Sequence, residues 1–160
     1  MVRDSDREAV AASFGLVIPM GNDMADHFYR RLFHLKPEYA ALFGSENNMR
    51  RQKRKFMKML GAIVETVSWE PEDWRDEVDV DEDPCILIMA LGKRHQQIYK
   101  IPDESYEQVG QALLWALSET LGDEVTSEDL QAWSRLYHAI AMTMRMGGDS
   151  KVEIDLGELI

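Results

Sequence analysis

Apolar residues recur at three- and four-residue intervals through most of this chain, and they seldom alternate one by one. That periodicity is the strongest constraint on the fold, because it places the apolar side chains of each segment on one helical face. Val10, Phe14, Val17 and Ile18 form the first such stripe, which Ser5 and Glu8 open with capping-box spacing. Pro19 and Gly21 interrupt it, and a second stripe of Met24, Phe28 and Leu32, with Tyr29 beside it, begins near Asn22 and breaks at Pro37. A short Pro-Glu-Tyr-Ala-Ala-Leu-Phe segment then reaches Phe43 and Gly44.

The third long helix is predicted from about Asn48 to Val67, with Phe56, Met59, Leu60, Ile63, Val64 and Val67 as its apolar stripe. Arg50, Arg51, Lys53, Arg54, Lys55 and Lys58 crowd its first half. The pattern vanishes between Trp69 and Pro84 and returns at Ile88, Leu91, His95 and Ile98, before Pro102. Two more helices follow: Tyr106 to Leu121, ending near Gly122, and Thr126 or Ser127 to a stop at Gly147-Gly148. The expected fold class is all-α, one domain of about six to eight helices over residues 1–148. An acidic insertion lies near 69–84, and an acidic tail covers 149–160.

With 160 residues the chain should bury roughly 70% of its unfolded surface, enough for a core without staples. The single cysteine, Cys85, excludes a disulfide framework and a four-cysteine zinc site. The N-terminus lacks the apolar stretch of a secretory signal, and no apolar run is long enough to span a membrane. These features lead us to expect a soluble cytoplasmic protein without a membrane partner. The formal net charge of −11 argues against nucleic acid, which needs clustered positive charge. Its distribution is uneven: residues 69–84 hold nine acids and one base, and residues 149–160 hold four acids and one base. The remainder is formally neutral, so the acidity describes two segments and not the body.

Most catalytic signatures fail. Gly92-Lys93 lacks the other glycine and the Ser/Thr of a phosphate-binding loop, and no G-x-S-x-G or H-E-x-x-H occurs. Asp79, Asp81 and Asp83 copy the start of a calcium loop, but Pro84 and Ala90 stand where Gly and Glu are needed. The methionines, such as Met57, Met89 and Met142, fall at helical spacing and read as core gap-fillers. Of the histidines, His27 and His34 read as surface or cap residues, and His138 is unremarkable beside Tyr137. His95 differs, because Leu91, His95 and Ile98 share one inward stripe. An imidazole so placed is either a satisfied core histidine or an axial ligand to haem iron.

The surroundings of His95 decide between these. Leu91-Gly-Lys-Arg-His95-Gln-Gln-Ile-Tyr, followed by Pro102-Asp-Glu-Ser-Tyr106-Glu-Gln-Val-Gly-Gln-Ala-Leu-Leu-Trp115, resembles the F and G helices of bacterial globins. His27-Phe-Tyr29-Arg-Arg-Leu-Phe33 resembles their B helix, and Pro37-Glu-Tyr-Ala-Ala-Leu-Phe43 the turn that follows it. The likeness spans roughly residues 5–146 and is nearest to the haem domain of flavohaemoglobins and to single-domain relatives.

That resemblance implies a globin fold around a haem b (iron protoporphyrin IX) pocket. His95 would be the proximal iron ligand. Tyr29 and Gln52 would donate hydrogen bonds to bound dioxygen, while Phe43 and Phe56 pack against the haem. Lys55 would pair with a propionate, and Tyr106 and Glu128 would hydrogen-bond around the proximal histidine. Phe56 is bulkier than the family's usual leucine, and the 69–84 segment is longer than the family needs. The implied function is binding of dioxygen, nitric oxide or carbon monoxide, as in oxygen transport, by a monomer or homodimer. Alternatives are a nitric-oxide dioxygenase, with Tyr29, Gln52, Tyr106 and Glu128 as its working residues, and a gas sensor signalling through a partner. Because the chain ends soon after the last globin helix, the enzyme reading calls for a separate reductase.

Overall fold

The computed structural model describes residues 2–67 and 104–149, together with Ile88, Gly92 and Pro102. Among these residues the chain is helical, with no strand: α1 (Asp4–Val17), α2 (Gly21–Leu35), α3 (Glu46–Val67), α4 (Ser105–Leu121) and α5 (Ser127–Asp149). Short 3-10 turns at Ile18–Met20, Pro37–Leu42 and Gly122–Glu124 join consecutive helices. The acidic stretch 69–84 and the tail from 150 lie outside the described residues.

The helices pack by the stripes that the periodicity marks. The most extensive pairing is α2 with α4, followed by α1 with α5, and α3 lies against both α1 and α2. Val10, Phe14 and Val17 are buried from α1, Met24, Phe28 and Leu32 from α2, and Leu60 and Val64 from α3. Leu113, Leu117 and Leu121 from α4 meet Trp133 and Leu136 from α5 in the same core. Each such large apolar side chain, once fully buried, contributes about 1.5–3 kcal/mol. Three residues placed on apolar faces by spacing alone are exposed: Ile18, Met59 and Met142. Ile18 has already left α1 for the 3-10 turn, which rotates it off the α1 stripe.

Polar groups lock the ends of the bundle. The cap of α1 is not built from Ser5 and Glu8, both of which are exposed. Instead the Arg3 amide donates to Asp6 Oδ2 (3.0 Å), satisfying a donor at the helix start. Asp6 is buried and also accepts Arg135 Nε (2.9 Å) and Nη2 (2.7 Å) from α5. This two-pronged guanidinium contact, with the Arg3 amide second, holds the Asp6 carboxyl down at about 2. Deeper in the same interface Trp133 Nε1 donates to Ser13 Oγ (2.9 Å), which in turn donates to Ala9 O (2.7 Å). A buried indole N–H is thereby satisfied.

Helix α4 ends where expected, at Gly122, whose φ of 55° lies in the left-handed region that favours glycine. Helix α5 opens with Thr126 and Asp129 capping one another: the Thr126 amide donates to Asp129 Oδ2 and the Asp129 amide to Thr126 Oγ1. It runs through Gly147 and Gly148 to Asp149 and does not stop at the glycine pair. Glycine lowers helix propensity by about 1 kcal/mol per residue without forbidding the helix. Upstream, Gly92 is buried, and a Cβ there would run into the Met144 backbone. The helical residue Gly92 therefore approaches α5 main chain to main chain, three positions before His95.

Candidate functional site

The centre of the site is Tyr29, on the face of α2 turned toward α3. It is only 5% exposed and stands in a cluster of rings from three elements. Its own helix supplies Phe28 and Phe33, the end of the Pro37–Leu42 turn supplies Phe43, and α3 supplies Phe56. Ring centroids lie 5.5 Å away for Phe43 and 5.8 Å for Phe56, both roughly edge-on, while Phe28 and Phe56 stack at 4.2 Å. Edge-on and offset rings satisfy the aromatic quadrupole better than eclipsed faces do.

Within this apolar enclosure, the Gln52 side chain faces the Tyr29 hydroxyl. Burial pushes the hydroxyl up to about 12, against the smaller opposing pull of Gln52. The group therefore keeps its proton throughout the physiological range. Gln52, Phe43 and Phe56 are each half-buried, and the two phenylalanines pack against the core with part of each ring left open.

The turn carrying Phe43 is tied down from two sides. Pro37 starts it, with a fixed φ suited to a first helical position, and the Tyr39 hydroxyl pairs with Ser105 Oγ at the start of α4. Ser105 is buried, so this contact joins the turn to α4 away from bulk water. Beside Tyr29 a groove of about 260 Å³ runs between α2 and α3. It is lined by Asp26, Tyr29, Arg30, Phe33, Met49 and Lys53.

The structure thus brings together four of the residues singled out in the sequence: Tyr29, Phe43, Gln52 and Phe56. His95 lies outside the described residues. Lys55 is exposed, one position and a third of a turn away from Phe56. Glu128 is not brought to Tyr106. Tyr106 lies beside Tyr137, whose hydroxyl donates to its carbonyl, and under the Arg145 guanidinium at 5.2 Å from the ring centroid. Glu128 sits exposed in the first turn of α5, about 13 Å along the helix axis from Tyr137 and about 25 Å from Arg145. Glu128 and the contacts of Tyr106 thus lie on separate stretches of α5.

Sequence spacing missed several contacts. His27 is half-buried and makes specific contacts: its Nδ1 is 3.1 Å from Thr120 Oγ1, and its ring meets Trp115 edge-on at 5.9 Å. Arg31, one turn on, lies over the same indole at 5.3 Å. Tyr137 fits only because residue 110 is glycine, since a Cβ there would stand 2.6 Å from the ring. No helix among the described residues is long and apolar enough to cross a membrane.

Comparison with known proteins identifies the family. Residues 26–144 match the family described as Globin. The chain is similar to the protein named Flavohemoprotein from Rhizobium meliloti (strain 1021), 26% identical over 141 residues. It is also similar to the Flavohemoprotein of Bacillus subtilis (strain 168), 25% identical over 141 residues. Each alignment takes in 88% of this chain, but only 32% and 33% of the respective relative. The Flavohemoprotein of Xylella fastidiosa (strain Temecula1 / ATCC 700964) is 29% identical over 138 residues, which is 85% of this chain and 31% of that protein. The chain therefore spans about a third of the length of these relatives. With the family match covering most of its length and an all-helical core to carry it, the chain belongs to the globin family.

Proposed function

We propose that this globin binds haem b through His95 and takes a diatomic gas on the side of Tyr29 and Gln52. The observation that carries the proposal is the buried Tyr29 hydroxyl, set inside a wall of aromatic rings with Gln52 facing it. The donor set fits a haem. Phe43 and Phe56, half-buried with part of each ring left open, suit the faces of a flat apolar macrocycle. Two neutral hydrogen-bonding groups beside them suit a small polar ligand and leave no buried net charge.

When bound, the haem supplies an iron at which a diatomic gas is held. The chain's own residues then set the selectivity. Tyr29, which keeps its proton, would offer a hydrogen bond to a small polar ligand on its side of the pocket, and Gln52 would orient that hydroxyl or donate beside it. Phe28, Phe33 and Phe43 exclude water, which strengthens these hydrogen bonds. The ring of Phe56 limits the space available to the ligand.

Reconstitution with haemin tests this. Tyr29→Phe should release dioxygen about 5- to 10-fold faster, the loss of one hydrogen bond of about 1–1.5 kcal/mol. Carbon monoxide, which gains less from a donor, should leave at a nearly unchanged rate. Equal effects on both gases, or on neither, would contradict the role of Tyr29.

A second reading is favoured by the same pair and by the names of the relatives. Tyr29 and Gln52 would orient dioxygen for reaction with nitric oxide, the electrons coming from a reductase. Steady-state nitrate formation from nitric oxide and dioxygen with a supplied reductase tests it. A single oxidation without turnover supports gas binding alone.

A further inference from the structure

We infer that Asp26 and Lys53 form a latch across the groove between α2 and α3, and that this latch sets the rate at which small ligands pass between solvent and Tyr29. The inference rests on the gas-binding reading of the Tyr29 pocket and adds the path by which the pocket is reached.

The groove has two walls. Asp26, Arg30 and Phe33 follow one another along α2 at one-turn spacing with Tyr29 between them, and Met49 and Lys53 are one turn apart on α3. Its polar ends and its floor differ in depth. Tyr29 is buried, whereas the Asp26 and Lys53 side chains are 46% and 33% exposed. The two charged groups meet at 2.6 Å, joining the α2 wall of the groove to its α3 wall. Lys53 directly follows Gln52, which faces the Tyr29 hydroxyl, so one stretch of backbone carries both the latch and the neighbour of Tyr29. A neutral diatomic entering along this groove would travel between the two walls that this ion pair holds together. That pair is weak enough to open thermally, because a half-exposed ion pair contributes about 0.2–1 kcal/mol.

A latch on the path changes entry and exit by one common factor and leaves affinity alone. A residue that touches the ligand changes mainly exit. Asp26→Ala should therefore raise the bimolecular rebinding rate of carbon monoxide after flash photolysis, and its dissociation rate, each by about two- to fivefold with unchanged affinity. The charge-exchanged double variant, Asp26→Lys with Lys53→Asp, should return both rates toward those of the native chain. A haem-free readout separates the latch from the gas-binding reading. In a Met49→Cys, Cys85→Ser chain, Asp26→Ala should speed alkylation of Cys at 49 by iodoacetamide by a similar factor. Unchanged carbon monoxide rates in a chain that loads haem would overturn the latch and leave the gas-binding reading standing. A chain that takes no haem yet shows faster alkylation would overturn the gas-binding reading and leave the latch. Altered affinity with an unchanged entry rate would also overturn the latch, since it would make Asp26 a ligand contact.

Discussion

Replacing Gly110 with alanine puts the packing of α4 on α5 to a quantitative test. A Cβ built on Gly110 lies 2.6 Å from Tyr137 Cε1, 2.8 Å from Cδ1 and 3.4 Å from Cζ. Carbon atoms pack comfortably at about 3.5–4.0 Å, so the ring or the helix must move by about 1 Å. The ring is not free to swing, because its hydroxyl donates to the Tyr106 carbonyl on α4 and the surrounding side chains pack against the core. Overpacking of this kind costs about 1–3 kcal/mol. Against that stands the gain of about 1 kcal/mol from replacing a mid-helix glycine by alanine. The single variant should therefore lie between neutral and about 2 kcal/mol less stable. The sign should reverse once the ring is gone, so that in a Tyr137→Ala background Gly110→Ala stabilises by about 1 kcal/mol. Urea midpoints of the four chains, with a shared slope, give the coupling directly. Equal effects of Gly110→Ala in both backgrounds would refute the close approach of residue 110 to the Tyr137 ring.

Three further outcomes follow from the same contacts. Asp6 is held at about 2 in the folded chain against an ordinary 3.8, so its contribution to stability is complete above about pH 4 and is lost as pH falls through 2. The stability gap between the native chain and Asp6→Asn, read from urea unfolding, should narrow over that window and be flat above it. Tyr29 has the opposite sense: its hydroxyl is raised from 10.0 to about 12, so its stabilising term is present below pH 10 and fades as pH rises through 12. Dioxygen release should accordingly show no step attributable to Tyr29 between about pH 6 and 9, and a tyrosinate absorbance step in that range would contradict the burial of Tyr29. Trp133→Phe removes the indole donor to Ser13 and part of a fully buried ring, and should cost about 1–3 kcal/mol in the same unfolding assay.

The stripes of Val10-Phe14-Val17, Leu60-Val64 and Leu113-Leu117-Leu121 were legible because each repeats one helical face, and burying that face leaves few alternatives. Tyr29, Phe43, Gln52 and Phe56 were legible only through resemblance. Periodicity marks an aromatic residue as inward but does not say which rings will share a pocket. Contacts between residues far apart in the sequence stayed hidden. Asp6 with Arg135, His27 with Thr120, and Gly110 with Tyr137 join positions whose local spacing carries no sign of the partner. Glu128 shows the converse. An acid in a first turn is favoured by the helix dipole alone, so its identity said nothing about a site. The glycine pair at 147 and 148 points to a stop for a similar local reason, yet low helix propensity alone does not end α5 there.

Titration of the full chain with haemin, followed by absorbance, bears most directly on the proposal that His95 holds haem in this globin. A Soret band that saturates at about one equivalent, shifts on reduction and carbon monoxide addition, disappears in His95→Gly and returns with added imidazole is the outcome predicted. A native chain with no stoichiometric band, or a His95→Gly spectrum identical to the native one, would contradict it.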